Sequence, residues 1–282
     1  MSETIAVVTD SAAMLPPAFI ERHGLYVAPL TVVVDGTEFL DGVSITAAEL
    51  YAAMHRQAQV TTSQPSPGQV LACYKAAAHA GATHILSIHI GAGISGTVNS
   101  AQAAATQSPI PVTVVDTGQA SFAEGLCVIE AVDALAVGAS PDAAAQAARS
   151  AGSVTGNTFI VKALDLARRS GRLREDGDVA GVPVLALQPD GIKVAGQATT
   201  LEQAVDLMAS HISTAADVAG NHGKALRVGI GNGDADAIAK ALRARVEEMD
   251  HIAEIIDYVV GPSMGAHLGP GNAGAVFIAR PL

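Results

Sequence analysis

Tryptophan is absent and aromatic residues make up only 3% of the 282 residues, a content that suits alanine-rich helices packed on sheets. Positive charge is also scarce: 16 Lys+Arg stand against 27 Asp+Glu, for a formal net charge of -11. Such a surface repels phosphate backbones and anionic headgroups, which argues against nucleic acid and membrane surfaces as partners. Charged residues total only 15% and hydrophobic residues 49%, so the chain lacks the composition of a disordered protein. Cys73 and Cys127 are the only cysteines, which excludes a disulfide framework, and no CxxC or HExxH motif supports a structural metal. No run approaches the roughly 18 apolar residues of a transmembrane helix. Met1-Ser2-Glu3-Thr4 leads into an apolar strand with no basic region before it and no cleavage site after it. The expectation is a cytoplasmic globular protein without stable membrane insertion, long enough for two domains and a sizeable core.

What is present is an alternation of β-branched runs with longer alanine-rich stretches, the pattern of strands and helices in turn. Strands are expected at Ile5–Thr9, Tyr26–Val34 (bent at Pro29), His84–Ile90 and Val112–Val115. Helices are expected near 45–56, 69–80, after Ser95, 121–137 and 143–151. This series fits a mostly parallel sheet with helices on both faces. Further on, strands at Thr158–Val161, Val184–Gln188, Ile192–Ala195, Leu226–Ile230, Ile252–Val260 and Ala275–Ala279 surround helices near 202–219 and 235–249. Asp190-Gly191 signals a hairpin between two of these strands, so the second sheet should be mixed. Gly152-Ser153 and Gly156-Asn157 interrupt the pattern and place the boundary between domains of residues 1–155 and 156–282.

Four segments depart from ordinary fold-making. In Thr61-Thr62-Ser63-Gln64-Pro65-Ser66-Pro67-Gly68, three hydroxyls precede two prolines, and Pro67 can open a helix. The segment reads either as a neutral anion-binding corner or as a capped turn. Gly91-Ala92-Gly93-Ile94-Ser95-Gly96 spells G-x-G-x-x-G, with Asp116 at the end of the next strand where a dinucleotide fold puts its ribose-binding acid. Two or three strands precede it, however, whereas that fingerprint opens its domain. Ser95 can be a binding hydroxyl, a helix cap or a nucleophile with His267 as base, although Thr97 stands where the G-x-S-x-G elbow needs glycine. Leu164–Leu173 holds Arg168, Arg169 and Arg172 at the end of an amphipathic helix, either complementing its dipole or forming a docking patch. Finally, His267 lies among Gly261, Gly265, Gly269, Gly271 and Gly274, which suggests a histidine in a close turn against a ligand.

Together, Thr9-Asp10-Ser11, Thr62-Ser63-Gln64-Pro65-Ser66, Ser95-Gly96-Thr97, Gly171-Arg172-Leu173 and His267-Leu268-Gly269-Pro270-Gly271 resemble the DegV family in order and spacing over nearly the whole chain. The resemblance implies two α/β domains with a ligand site between them. It also implies a long-chain fatty acid in a buried tunnel, presented to the separate ATP-binding subunit of a fatty acid kinase for acyl phosphate formation. Carried over by motif, Thr62, Ser95 and His267 would bind the carboxylate, and Arg172 would lie near the site or the kinase-docking face. The chain itself would be a lipid-binding subunit rather than an enzyme, with no cofactor and no metal. It departs from many relatives in having Ser170-Gly171-Arg172 for Gly-Gly-Arg, Val182-Pro183 for Lys-Pro, and a neutral Gly196-Gln197-Ala198. No G-x-x-x-x-G-K-[ST] is present, since Gly223-Lys224 is followed by Ala225. The alternatives are a serine/histidine-assisted hydrolase and a nucleotide-dependent enzyme.

Overall fold

A computed structural model describes residues 4–162, 181–188 and 191–281. These residues group into two compact units, one of Met1–Thr46, Gln59–Val154 and Gly261–Ser263, the other of Ala47–Ala58, Thr155–Val260 and Met264–Leu282.

The first unit is built on strands β1 (Ile5–Asp10), β2 (Tyr26–Ala28), β6 (His84–His89) and β7 (Val112–Asp116), which form a parallel sheet in the order β2-β1-β6-β7. Helices cover both faces, as a parallel sheet requires. On one face Val8 and Ile85 pack against Val70, Tyr74 and Ala77 of α3 (Pro67–His79) and Ala101 and Ala104 of α4 (Thr97–Ala105). Against the sheet also lie α5 (Phe122–Ala136) and α6 (Pro141–Val154). A short helix, α1 (Pro17–His23), opens at Pro17, whose fixed φ and missing N–H cost nothing in a first turn.

Two details of the first unit differ from expectation. The stretch expected as one strand over 26–34 splits at Pro29: its first part joins the parallel sheet, and Thr31–Val34 (β3) becomes the centre of a small antiparallel sheet. Proline has no N–H to continue a ladder, so the chain changes sheets there. The partners in that sheet are β4 (Thr37–Leu40) and β5 (Val60–Ser63), with Val32 opposite both Phe39 and Thr62. Hydroxyls read as turn-formers thus belong to a strand, since threonine is β-branched and suits the pleat. The chain leaves this strand before Pro65, and Ser66 then caps α3 with a reciprocal Ser66–Gln69 capping box and Pro67 in the first turn.

In the second unit, a mixed sheet runs β10-β9-β8-β13-β11-β12: β8 (Gly156–Ile160), β9 (Val182–Gln188), β10 (Gly191–Ala198), β11 (Lys224–Gly233), β12 (Ile252–Val259) and β13 (Asn272–Pro281). Only the β11–β12 pair is parallel. Gly191 pairs with Gln188 and so starts β10 itself, whereas the sequence placed it in the turn; residues 189–190 lie outside the described ones. The long helix α7 (Leu201–Gly220) and α8 (Asp236–Glu247) bury Val205, Met208, Ile212, Ile238, Leu242 and Val246 in one core with Val228 and Ile230 of β11. Helix α2 (Ala47–His55) and the short α9 (Pro262–Leu268) are the other helices among the described residues of this unit. Among the described residues, no helix is long and apolar enough to cross a membrane.

Candidate functional site

In the parallel sheet, β1 connects towards β2 on one side and β6 towards β7 on the other, so the topological switch point lies between the carboxyl ends of β1 and β6. Open α/β sheets bind their ligands at such crevices. Asp10 ends one of these strands and His89 the other.

Alternation along the strands sends Thr9 and Asp10 to opposite faces. Asp10 Oδ1 accepts from the Ala12 N–H at 3.0 Å, while Oδ2 accepts from the Ile90 N–H at 3.2 Å and lies 2.9 Å from His89 Nδ1. His89 Nε2 lies 2.7 Å from Ser87 Oγ, which lies 2.8 Å from Tyr74 Oη. When His89 donates its Nδ1–H to Asp10, Ser87 donates to His89 Nε2, and the Tyr74 hydroxyl donates to Ser87 or to the Ala101 carbonyl at 3.4 Å. Burial pushes the Tyr74 phenol up to about 12, which keeps it a donor. Beside this chain, Thr9 Oγ1 donates to Glu124 Oε1 at 3.3 Å. Glu124 is wholly buried, and its other oxygen has no partner among the described residues. Desolvation raises its pKa well above the ordinary carboxylate range, and the nearby Asp10 adds to this.

Ser87, His89 and Asp10 make the contacts of a hydrolytic triad, yet Ser87 and His89 are 0% and Asp10 1% exposed. No acyl substrate reaches a nucleophile so placed, and the chain of contacts is a structural one. The sequence pattern marks Asp10 only within Thr9-Asp10-Ser11 and does not mark Ser87, His89 or Glu124. The signal was available: a strand buried on both faces should be almost wholly apolar, and Ser87 and His89 break that at same-face positions two apart.

The G-x-G-x-x-G loop follows β6. The Gly91 carbonyl accepts from the N–H groups of Ile94 at 2.8 Å and Ser95 at 3.0 Å, while its own N–H donates to Gln119 at 2.7 Å. A Cβ at Gly91 would sit 2.7 Å from the Gly118 carbonyl carbon, so this glycine serves a close approach of two loops. Asp116 Oδ1 accepts from Ala92 N–H at 3.1 Å and Gly118 N–H at 2.9 Å. The acid that a ribose would need is therefore engaged in bracing the loop, which removes the main support of the dinucleotide reading.

Ser95 is half-buried, with its Oγ 2.9 Å from Thr97 Oγ1. The helix cap position falls to Gly96 rather than Ser95, and Ser100 of α4 is buried. Thr62 is half-buried on β5. Two residues beyond it, the Gln64 amide covers Gly96, within 2.3 Å of where a Cβ would stand. The structure thus places the Gln64 side chain, just beyond β5, against Gly96 of the loop that carries Ser95.

His267 belongs to the second unit, where it is half-buried in the last turn of α9, not in the turn that its flanking glycines suggested. Those glycines serve the helix and its exit. Gly265 packs on Tyr51, with a Cβ there 2.8 Å from Tyr51 Oη; Gly269 and Gly271 take φ of 75° and 83°, which side chains rarely adopt. Asn272 donates to the Gly269 carbonyl at 2.6 Å, and Tyr51 donates to the Val260 carbonyl at 2.9 Å, which fixes the end of the helix carrying His267. Arg172 lies outside the described residues. Among the described residues no group of three or more His, Cys, Asp or Glu could hold a metal ion.

A family model described as "Uncharacterised protein, DegV family" matches residues 4–280. A DegV domain-containing protein of Streptomyces coelicolor is 35% identical over 99% of this chain and 100% of its own length. Among solved structures, a DegV family protein from Thermus thermophilus, described by its fatty acid binding, superposes with a TM-score of 0.87 at 30% identity, covering 98% of this chain and 100% of that one. DegV of Bacillus subtilis, a fatty acid binding protein, gives a TM-score of 0.87 at 25% identity, over 99% and 100% of the two chains. With the parallel and mixed sheets, the near-complete coverage and the motifs in order, the chain belongs to the DegV family.

Proposed function

We propose that this protein binds one long-chain fatty acid in a buried tunnel and presents its carboxylate to a separate ATP-dependent kinase subunit for conversion to acyl phosphate. The observation that carries the reading is the contact of Gln64, just beyond the strand that holds Thr62, with Gly96 of the braced loop that holds Ser95. The fatty acid binding of the Thermus thermophilus and Bacillus subtilis relatives supports it.

Each buried methylene contributes about 0.8 kcal/mol, so a tail of roughly a dozen supplies on the order of 10 kcal/mol before ordering costs. The head group then needs orientation more than affinity. Hydroxyls of Thr62 and Ser95 and the imidazole of His267 donate to one part of the carboxylate and leave an oxygen lone pair free to attack phosphorus in line. Neutral donors suit this role, because a tight ion pair would withdraw the electron density that the attack uses. In this reading the chain supplies positioning, the partner subunit supplies ATP and its metal, and Arg172 belongs to the site or the docking face.

The test is reconstitution. Lipid-loaded protein with ATP alone should yield no acyl phosphate, trapped as a hydroxamate, and should yield it when a fatty acid kinase subunit is added. His267→Ala should lose more product than lipid affinity. Product from the isolated chain, or none with any kinase subunit despite tight lipid binding, overturns the presentation step.

A further inference from the structure

Asp10 touches both loops that leave the switch point, and it does so through different oxygens. Oδ1 holds the turn after β1 through Ala12 N–H; Oδ2 holds the root of the head-group loop through Ile90 N–H and receives His89 Nδ1. The next residue, Gly91, then holds Ile94 and Ser95 by its carbonyl. An unbroken path of hydrogen bonds therefore runs from Tyr74 in the core through Ser87, His89 and Asp10 to the backbone that carries Ser95.

Resting on the proposed function, we infer that Asp10 is a positioning residue for fatty-acid head-group recognition, acting through Ile90 and Gly91 to set the place of Ser95. The chemistry requires a carboxylate rather than an amide. Both oxygens of Asp10 face N–H donors, so an asparagine in either flip turns its NH2 against Ala12 N–H or Ile90 N–H. One of the two loops is then released although volume and shape are kept.

The experiment compares Asp10→Asn with wild type in binding a saturated C16 acid and the C16 alcohol, which shares the tail but lacks the carboxylate. Wild type should prefer the acid. In the variant, acid affinity should fall about tenfold while alcohol affinity stays within about twofold. Equal losses for both ligands would make Asp10 merely structural and overturn the inference. A wild type that binds neither ligand would instead sink the fatty-acid reading itself. If the variant does not fold, the wild-type protein decides: the Ile90 and Ser95 amide resonances should shift with the acid and not with the alcohol, and equal shifts with both would refute the role.

Discussion

Replacing Gly91 by alanine tests whether the first glycine of G-x-G-x-x-G serves loop packing or a phosphate. A Cβ at this position meets the Gly118 carbonyl carbon at 2.7 Å, its Cα at 2.9 Å and the Gln119 nitrogen at 3.1 Å, all of them backbone atoms. Carbon atoms pack best at about 3.5–4.0 Å, so the Gly118 loop must retreat by nearly an ångström. Overpacking of this kind costs about 1–3 kcal/mol. The retreat also strains the Gly91–Gln119 bond of 2.7 Å and the two bonds to Asp116, whose partial loss adds about 1 kcal/mol. Denaturant unfolding should therefore show Gly91→Ala destabilised by roughly 2–4 kcal/mol. Gly93 has nothing within 4 Å of a Cβ and no positive φ, so Gly93→Ala should stay within about 0.5 kcal/mol of wild type. A Gly91→Ala protein as stable as wild type, or an equal loss at Gly93, would refute the packing argument.

Ser95→Ala should weaken acid binding by about 1–3 kcal/mol while the melting temperature holds, measured by calorimetric titration and thermal unfolding; labelling of Ser95 by a fluorophosphonate would contradict a binding role. Tyr74→Phe removes the terminal donor of a wholly buried chain and should cost about 1–2 kcal/mol in denaturant unfolding, whereas a neutral outcome would show that Ser87 and His89 are satisfied without it. The raised pKa of Glu124 fixes the sign of a pH effect: above the unfolded-state value of about 4.5 the unfolded chain releases a proton that the native protein keeps. Wild-type stability relative to Glu124→Gln should thus decline as pH rises from about 4.5 towards neutrality, by up to about 1.4 kcal/mol per pH unit, and a constant difference would show that Glu124 ionises normally.

The sequence carried most of the fold because its strongest signals are periodic. Apolar strands such as Ile5–Asp10 and His84–His89, and amphipathic helices such as Leu201–Gly220, stand close to where their patterns put them. Short elements escaped: Thr37–Leu40 is four residues with Glu38 exposed, and Val60–Ser63 looks like a turn until Thr31–Val34 pairs with it. Of the motifs, the one that holds Thr62 and the one that holds Ser95 meet where the Gln64 side chain covers Gly96, a contact that motif order along the chain does not reveal. The polar cluster beneath it was not legible either, because Asp10, His89 and Glu124 are separated by 79 residues or more along the chain apart from the 35-residue step from His89 to Glu124, and only parallel pairing of β1 with β6 puts them side by side. The element that carries His267 was misjudged: glycines that looked like a turn shape a helix, Pro262–Leu268, and its exit.

Native mass spectrometry of the purified chain tests the central claim most directly. The account predicts a bound mass equal to one long-chain fatty acid, exchangeable for an added C16 acid and not displaced by acetate. A chain that carries no lipid and gains none on incubation with acids of any length would contradict it.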